Sequence, residues 1–258
     1  MNSRTIFSHH AESDEVEQSI PTATSCFAET TPVSGRDLSS DSSSCLTLAE
    51  QLSLWRRQAL HYARQGNYSP AITLFSRLIQ RSGAQASDYN NRGLLLFQVG
   101  QPERALADYN QALQLDPKLT QVYNNRANCY AAIGCLAEAL ADYETAIDLN
   151  PTNLHAWLNQ GITYRDLEMY EQAIENFDLA LQFSQLLNLT SDTPTHIQGH
   201  LYAERGRTYH LAGDWNCAVA DYQRALAALP QADRSFQPSC KLWFQVDHWL
   251  NELLTYTP

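Results

Sequence analysis

The chain has 258 residues, 44% of them hydrophobic, and a formal net charge of -11. That length and apolar content can bury the core of one or two ordinary domains. The acidity argues against nucleic acid as the main partner, because phosphate binding needs clustered Lys and Arg and only Lys118 and Lys241 supply lysine.

In chain order, residues 1–46 come first. They carry eleven serines, end in the run SSDSSSC, and show no apolar period of 2 or 3.6. Such a segment cannot bury enough surface to offset the entropy of ordering, so a disordered acidic, Ser-rich tail is expected. Its start has no apolar stretch of signal-peptide length, and no window of the chain approaches the roughly 18 to 20 apolar residues of a membrane span. A cytoplasmic location is the expectation. The six cysteines form no C-x-x-C pair, which fits reduced and mostly buried thiols better than disulfides or zinc.

Thr47 and Glu50 have capping-box spacing, so the first helix should start near Leu48. From residue 52 onward the sequence repeats with a period of 34. Small residues recur at Ala59, Gly93, Ala127, Gly161 and Gly206, and alanine follows at Ala71, Ala105, Ala139, Ala173 and Ala218. Aromatic rings recur at Trp55, Tyr89, Tyr123, Trp157 and Tyr202, and again at Phe75, Tyr109, Tyr143, Phe177 and Tyr222. Counting from residue 52, these are repeat positions 8, 20, 4 and 24. Small residues at 8 and 20 let two helices approach closely, and the rings fill the gaps between repeats. Gly66, Gly100, Gly134 and Gly213 stand where the first helix of each pair should end in a left-handed residue; repeat four has Glu168 there.

An extra stretch near 188–198 separates the fourth and fifth repeats and could be a longer helix, a loop or both. Thr195 and Gln198 have capping-box spacing before the next helix. After Pro238, Leu242, Val246, Trp249 and Leu253 share one helical face, with Trp243 and Leu250 beside it. A terminal repeat exposes an apolar face, so residues 238–256 are expected to form a capping helix into which Trp243, Phe244 and Trp249 pack.

This pattern resembles the tetratricopeptide repeat family in five copies, 52–85, 86–119, 120–153, 154–187 and 199–232. The resemblance implies an all-α, right-handed α-solenoid superhelix of helix pairs. It also implies that helix A of each pair lines a concave groove with positions 2, 5, 6, 9, 12 and 13.

Position 7 carries arginine only where position 23 carries aspartate. Arg92 answers Asp108, Arg126 answers Asp142 and Arg205 answers Asp221, whereas repeats one and four have Gln58 with Leu74 and Gln160 with Asn176. The five copies act as their own alignment, and the covariation favours structural ion pairs between helices A and B over arginines that bind an acidic ligand.

Asparagine is a mediocre helix former, yet Asn91, Asn125 and Asn159 share position 6, with Asn90, Asn124 and Asn128 at positions 5 and 9. A primary amide offers donors and an acceptor together, which suits the backbone of an extended peptide. These six, with Arg165, form the expected peptide-binding groove. Family members that hold a C-terminal carboxylate use two cationic positions that here read His200 and Glu204 and a third that reads Asn124, so that mode does not fit. Arg207 and His210 also fall on groove positions.

Chemistry is not expected. No G-x-S-x-G, phosphate-cradling glycine loop or paired catalytic carboxylates appear, and the i, i+4 pair His196 and His200 lacks the zincin glutamate and a third ligand. The sequence points to a non-enzymatic scaffold or adaptor that binds a peptide segment of a partner protein, with no cofactor, metal, small-molecule substrate or membrane span. The alternatives are an assembly factor or co-chaperone regulated by its tail, and a self-associating structural protein. Oligomeric state and partner identity are left open.

Overall fold

The computed structural model describes residues 47–81, 84–188, 196–229 and 238–256. The expected tail over 1–46, the Thr195 cap and the centre of the insertion lie outside them. The chain divides into two compact units, residues 1–54 and 55–258. Of the first unit, the described part is Thr47 and the opening turns of α1, where the Glu50 carboxylate accepts from the Thr47 backbone N–H at 2.8 Å and the Thr47 hydroxyl accepts from the Glu50 N–H at 3.3 Å. This reciprocal cap sets the start of α1 at Leu48.

Every regular element among the described residues is an α-helix. They are α1 (Leu48–Arg64), α2 (Tyr68–Gln80), α3 (Ala86–Gln98), α4 (Pro102–Leu115), α5 (Thr120–Ala132), α6 (Leu136–Leu149), α7 (Leu154–Asp166), α8 (Tyr170–Asn188), α9 (His196–Ala212), α10 (Trp215–Ala228) and α11 (Pro238–Tyr256). In the second unit each odd-numbered helix from α3 to α9 pairs with the helix that follows it, and each pair packs on the next. The odd-numbered helices also touch one another, α3 with α5, α5 with α7 and α7 with α9. That contact places the A helices on the inner side of the stack.

The periodic small and aromatic residues set these contacts. Ala105, Ala139, Ala173 and Ala218 are fully buried, as are the rings of Tyr109, Phe177 and Tyr222. A methyl group added at Gly161 would lie 2.6 Å from Phe177 Cε1, and one at Gly93 would lie 2.8 Å from Tyr109 Cε1. Position 8 is therefore small because the position-24 ring of the same repeat lies against it. Position-4 rings reach back to the closing prolines, Trp157 Nε1 donating to the Pro151 carbonyl at 2.9 Å and the Tyr123 hydroxyl to that of Pro117 at 3.3 Å.

Helix A ends in a left-handed residue in all five copies. The four glycines there have φ between 74° and 85°, and Glu168 adopts φ 60° without being glycine. The insertion begins as helix: α8 runs 19 residues where α4 and α6 run 14. Helix α11 buries Val246, Leu250 and Leu253 against Tyr222, Ala225 and Leu229, with Trp243 and Trp249 packed alongside. Phe244 departs from the expectation: it is 59% exposed, because it lies on the far side of α11 from that seam. Three of the six thiols fall among the described side chains, and their exposure varies. Cys129 is buried, Cys135 half-buried and Cys217, in the first turn of α10, exposed.

Candidate functional site

The stack carries two kinds of periodic polar residue, and they do different work. The arginines at position 7 are bound into the stack. Arg92 donates to Asp108 from Nε at 2.7 Å and from a terminal nitrogen at 2.6 Å, and Arg126 meets Asp142 in the same fork at 2.7 Å twice. Arg205 meets Asp221 at 2.6 and 2.8 Å. The aspartates hold Arg92 and Arg126 above the ordinary guanidinium range, chiefly through these hydrogen bonds.

Each fork has a third arm. Arg92 reaches Ser76 at 3.1 Å, Arg126 reaches Asn110 at 2.6 Å and Arg205 reaches Asp178, all at position 25 on helix B of the preceding repeat. One guanidinium thus ties three helices and two repeats. Sequence reasoning found two of the three partners. The third was visible as a residue able to accept a hydrogen bond at position 25 ahead of every arginine.

Two further arginines form ion pairs that had no periodic signature. Arg56 forks onto Asp88 at 2.8 Å twice, and Asp88, 1% exposed, also accepts from the Gln85 N–H at the start of α3. Arg165, expected among the groove residues, is instead 9% exposed and engaged with Glu204 and Asp166. Burial opposes its charge, and the two carboxylates outweigh it, so its pKa is raised. It joins α7 to α9 and offers no open guanidinium to a ligand.

The asparagines divide. Asn125 Nδ2 donates to Asn90 Oδ1 across α5 and α3 at 3.0 Å, and Asn159 Nδ2 donates to Asn128 Oδ1 across α7 and α5 at 2.9 Å. The Tyr143 hydroxyl donates to the same Asn128 oxygen at 2.6 Å. Asn90 and Asn159 are each only 8% exposed. Asn159 therefore differs from an open groove amide, because the inter-repeat bond draws it into the seam. Asn91 and Asn125 stay half-exposed, and Asn91 makes no side-chain hydrogen bond to a described residue. Asn124 has its Oδ1 buried without a partner among the described residues.

Residues 86–119 and 120–153 match a tetratricopeptide repeat model, and residues 142–175 match a second one. Residues 86–175 are tetratricopeptide repeats. The chain is similar to tetratricopeptide repeat protein 16 of Homo sapiens and of Macaca fascicularis, at 38% identity over 60 residues in each case. That stretch is 23% of this chain, and it spans only 7% of those relatives. Among solved structures, MamA from Desulfovibrio magneticus superposes with a TM-score of 0.59 at 16% identity, covering 70% of this chain and 97% of that one. A thermophilic tetratricopeptide repeat protein of Thermus thermophilus superposes with a TM-score of 0.58 at 19% identity, covering 79% and 99%. At these identities the likeness is one of fold.

The repeat fold is that of a protein-interaction scaffold, and no catalytic family is indicated. No helix among the described residues is long and apolar enough to cross a membrane. His196 opens α9 at the edge of the described segment, and His200 lies one turn further along the same helix. Burial pushes the Cys129 thiol up to about 11, which makes it a poor nucleophile at neutral pH.

Proposed function

We propose that the repeat protein is an adaptor that holds an extended segment of a partner protein along the inner face of its A helices. The observation that supports this is the contrast at position 6. The Asn91 amide is accessible and makes no bond within the fold, while the Asn125 amide, one repeat on, is oriented by Asn90 and keeps a carbonyl oxygen and one N–H unused. An amide fixed before binding, as at Asn125, loses little rotamer entropy when it bonds a peptide backbone. Each such bond contributes about 0.5 to 1.5 kcal/mol net, so the grip is moderate and tolerant of sequence.

The reading narrows the contact set expected from the sequence. Asn91 and Asn125 make the backbone contacts, Asn90 and Asn128 orient their neighbours, and Asn159 and Arg165 hold repeats together. Recovery of partners on immobilised protein tests it: Asn91→Ala/Asn125→Ala should lose partners that the wild type retains at equal loading. Equal recovery by both would remove the backbone role of these two amides.

A further inference from the structure

A pit of about 180 Å³ opens at the carboxyl-terminal end of the inner face, lined by Arg207, His210, Leu211, Tyr222, Trp249 and Glu252. It is built from α9, α10 and α11, so it needs the helix that lies outside the repeats. Its floor is aromatic. The Tyr222 and Trp249 rings lie 5.8 Å apart, and His210 Nδ1 is 3.3 Å from the Tyr222 hydroxyl.

Arg207 differs from the arginines that are bound into the stack. Arg56, Arg92, Arg126, Arg165 and Arg205 each hold a carboxylate. Arg207 forms no hydrogen bond or ion pair with a described residue. Its guanidinium lies 4.3 Å from the centroid of the Trp249 ring, which orients the cation without consuming its N–H donors. Glu252, which also lines the pit, likewise has no side-chain partner among the described residues. An oriented cation, an unused acceptor and an apolar floor thus face one small space.

We infer that this pit takes a carboxylate-bearing residue of a peptide. The acid lies in the Arg207 fork, a backbone N–H is donated to Glu252, and the aliphatic body rests on Trp249, Tyr222 and Leu211. Arginine's planar fork pairs with a carboxylate in two parallel hydrogen bonds, and stacking on the indole leaves that edge free. The same acid could come from a chain terminus or from an aspartate or glutamate side chain, and the probes below separate the two. The inference builds on the reading of the inner face as a peptide-binding surface, but it involves neither asparagine assigned to the backbone. The five positions of the family's carboxylate clamp take no part in it.

The test uses the full chain and three short probes: N-acetyl-Ala-Ala-Leu with a free carboxylate, the same peptide as its amide, and N-acetyl-Ala-Glu-Leu amide. The indole N–H resonance of Trp249, assigned with Trp249→Phe, reports occupancy. At least one acidic probe should shift it with saturation while the neutral amide does not, and the tighter of the two acids identifies the source. Arg207→Gln should weaken that binding about tenfold or more, with Arg207→Lys between it and wild type because the charge remains and the fork is lost. Asn91→Ala/Asn125→Ala should leave it unchanged, so failure here and failure of the backbone reading are separate results. Equal shifts from the neutral amide, undiminished binding by a folded Arg207→Gln protein, or no shift with any probe up to about 10 mM would overturn the inference.

Discussion

Arg92 and Asp108, sixteen residues apart, face each other across α3 and α4 in a two-pronged fork, and a third nitrogen of the same guanidinium reaches Ser76 on α2. The aspartate side chain is 8% exposed and the arginine 19%. Removing one partner strands a charge in a site that water reaches poorly. Asp108→Ala and Arg92→Ala should each cost about 3 kcal/mol in denaturant unfolding, and Arg92→Met/Asp108→Leu should cost clearly less than their sum. An Asp108→Ala protein as stable as wild type would remove the pair from the account of the fold.

Much of this fold was legible before any coordinates, because five copies of one unit allow position-by-position comparison inside a single chain. The small residue at position 8 marked a close approach of helices A and B as expected, although what it makes room for is the position-24 ring of its own repeat, as the Gly161 and Phe177 pair makes plain. Contacts that occur once were not legible. Arg165 with Glu204 and Arg56 with Asp88 join different repeat positions, so no periodicity announces them. The asparagine column misled in part for a related reason. Position 6 sets which way a side chain points, but the neighbour across the seam decides whether its amide is spent, as at Asn159, or left open, as at Asn91.

Glu168 occupies the left-handed end of α7 with φ 60°, where the other four repeats use glycine. A Cβ there is strained, and glycine would relieve the strain at some cost in chain entropy. Glu168→Gly should therefore stabilise the protein by about 0.5 to 1 kcal/mol, read as a small rise in Tm. A decrease would show that the side chain has a compensating contact.

The cap of α1 is pH-sensitive. The backbone N–H and hydroxyl of Thr47 hold the Glu50 carboxyl below its ordinary value. A depressed folded pKa contributes stability that is present above the unfolded value, about 4.3, and is lost as pH falls through the folded value. The hydrogen-exchange protection factor at the first turn of α1, corrected for the intrinsic rate, should fall in that acidic window while that of α5 does not. In Thr47→Ala, which keeps the backbone N–H and loses the hydroxyl, a carboxyl-carbon titration should move Glu50 only part of the way back toward the ordinary value.

The central claim is that partners lie along the inner face and bond to the amides of Asn91 and Asn125. Its most direct measurement is a calorimetric titration of one peptide, selected from a random displayed library on the full-length protein, into wild type and into Asn91→Ala/Asn125→Ala. Two lost backbone bonds correspond to about tenfold weaker binding, with an unchanged melting temperature for the variant. An affinity equal to that of the wild type would contradict the account.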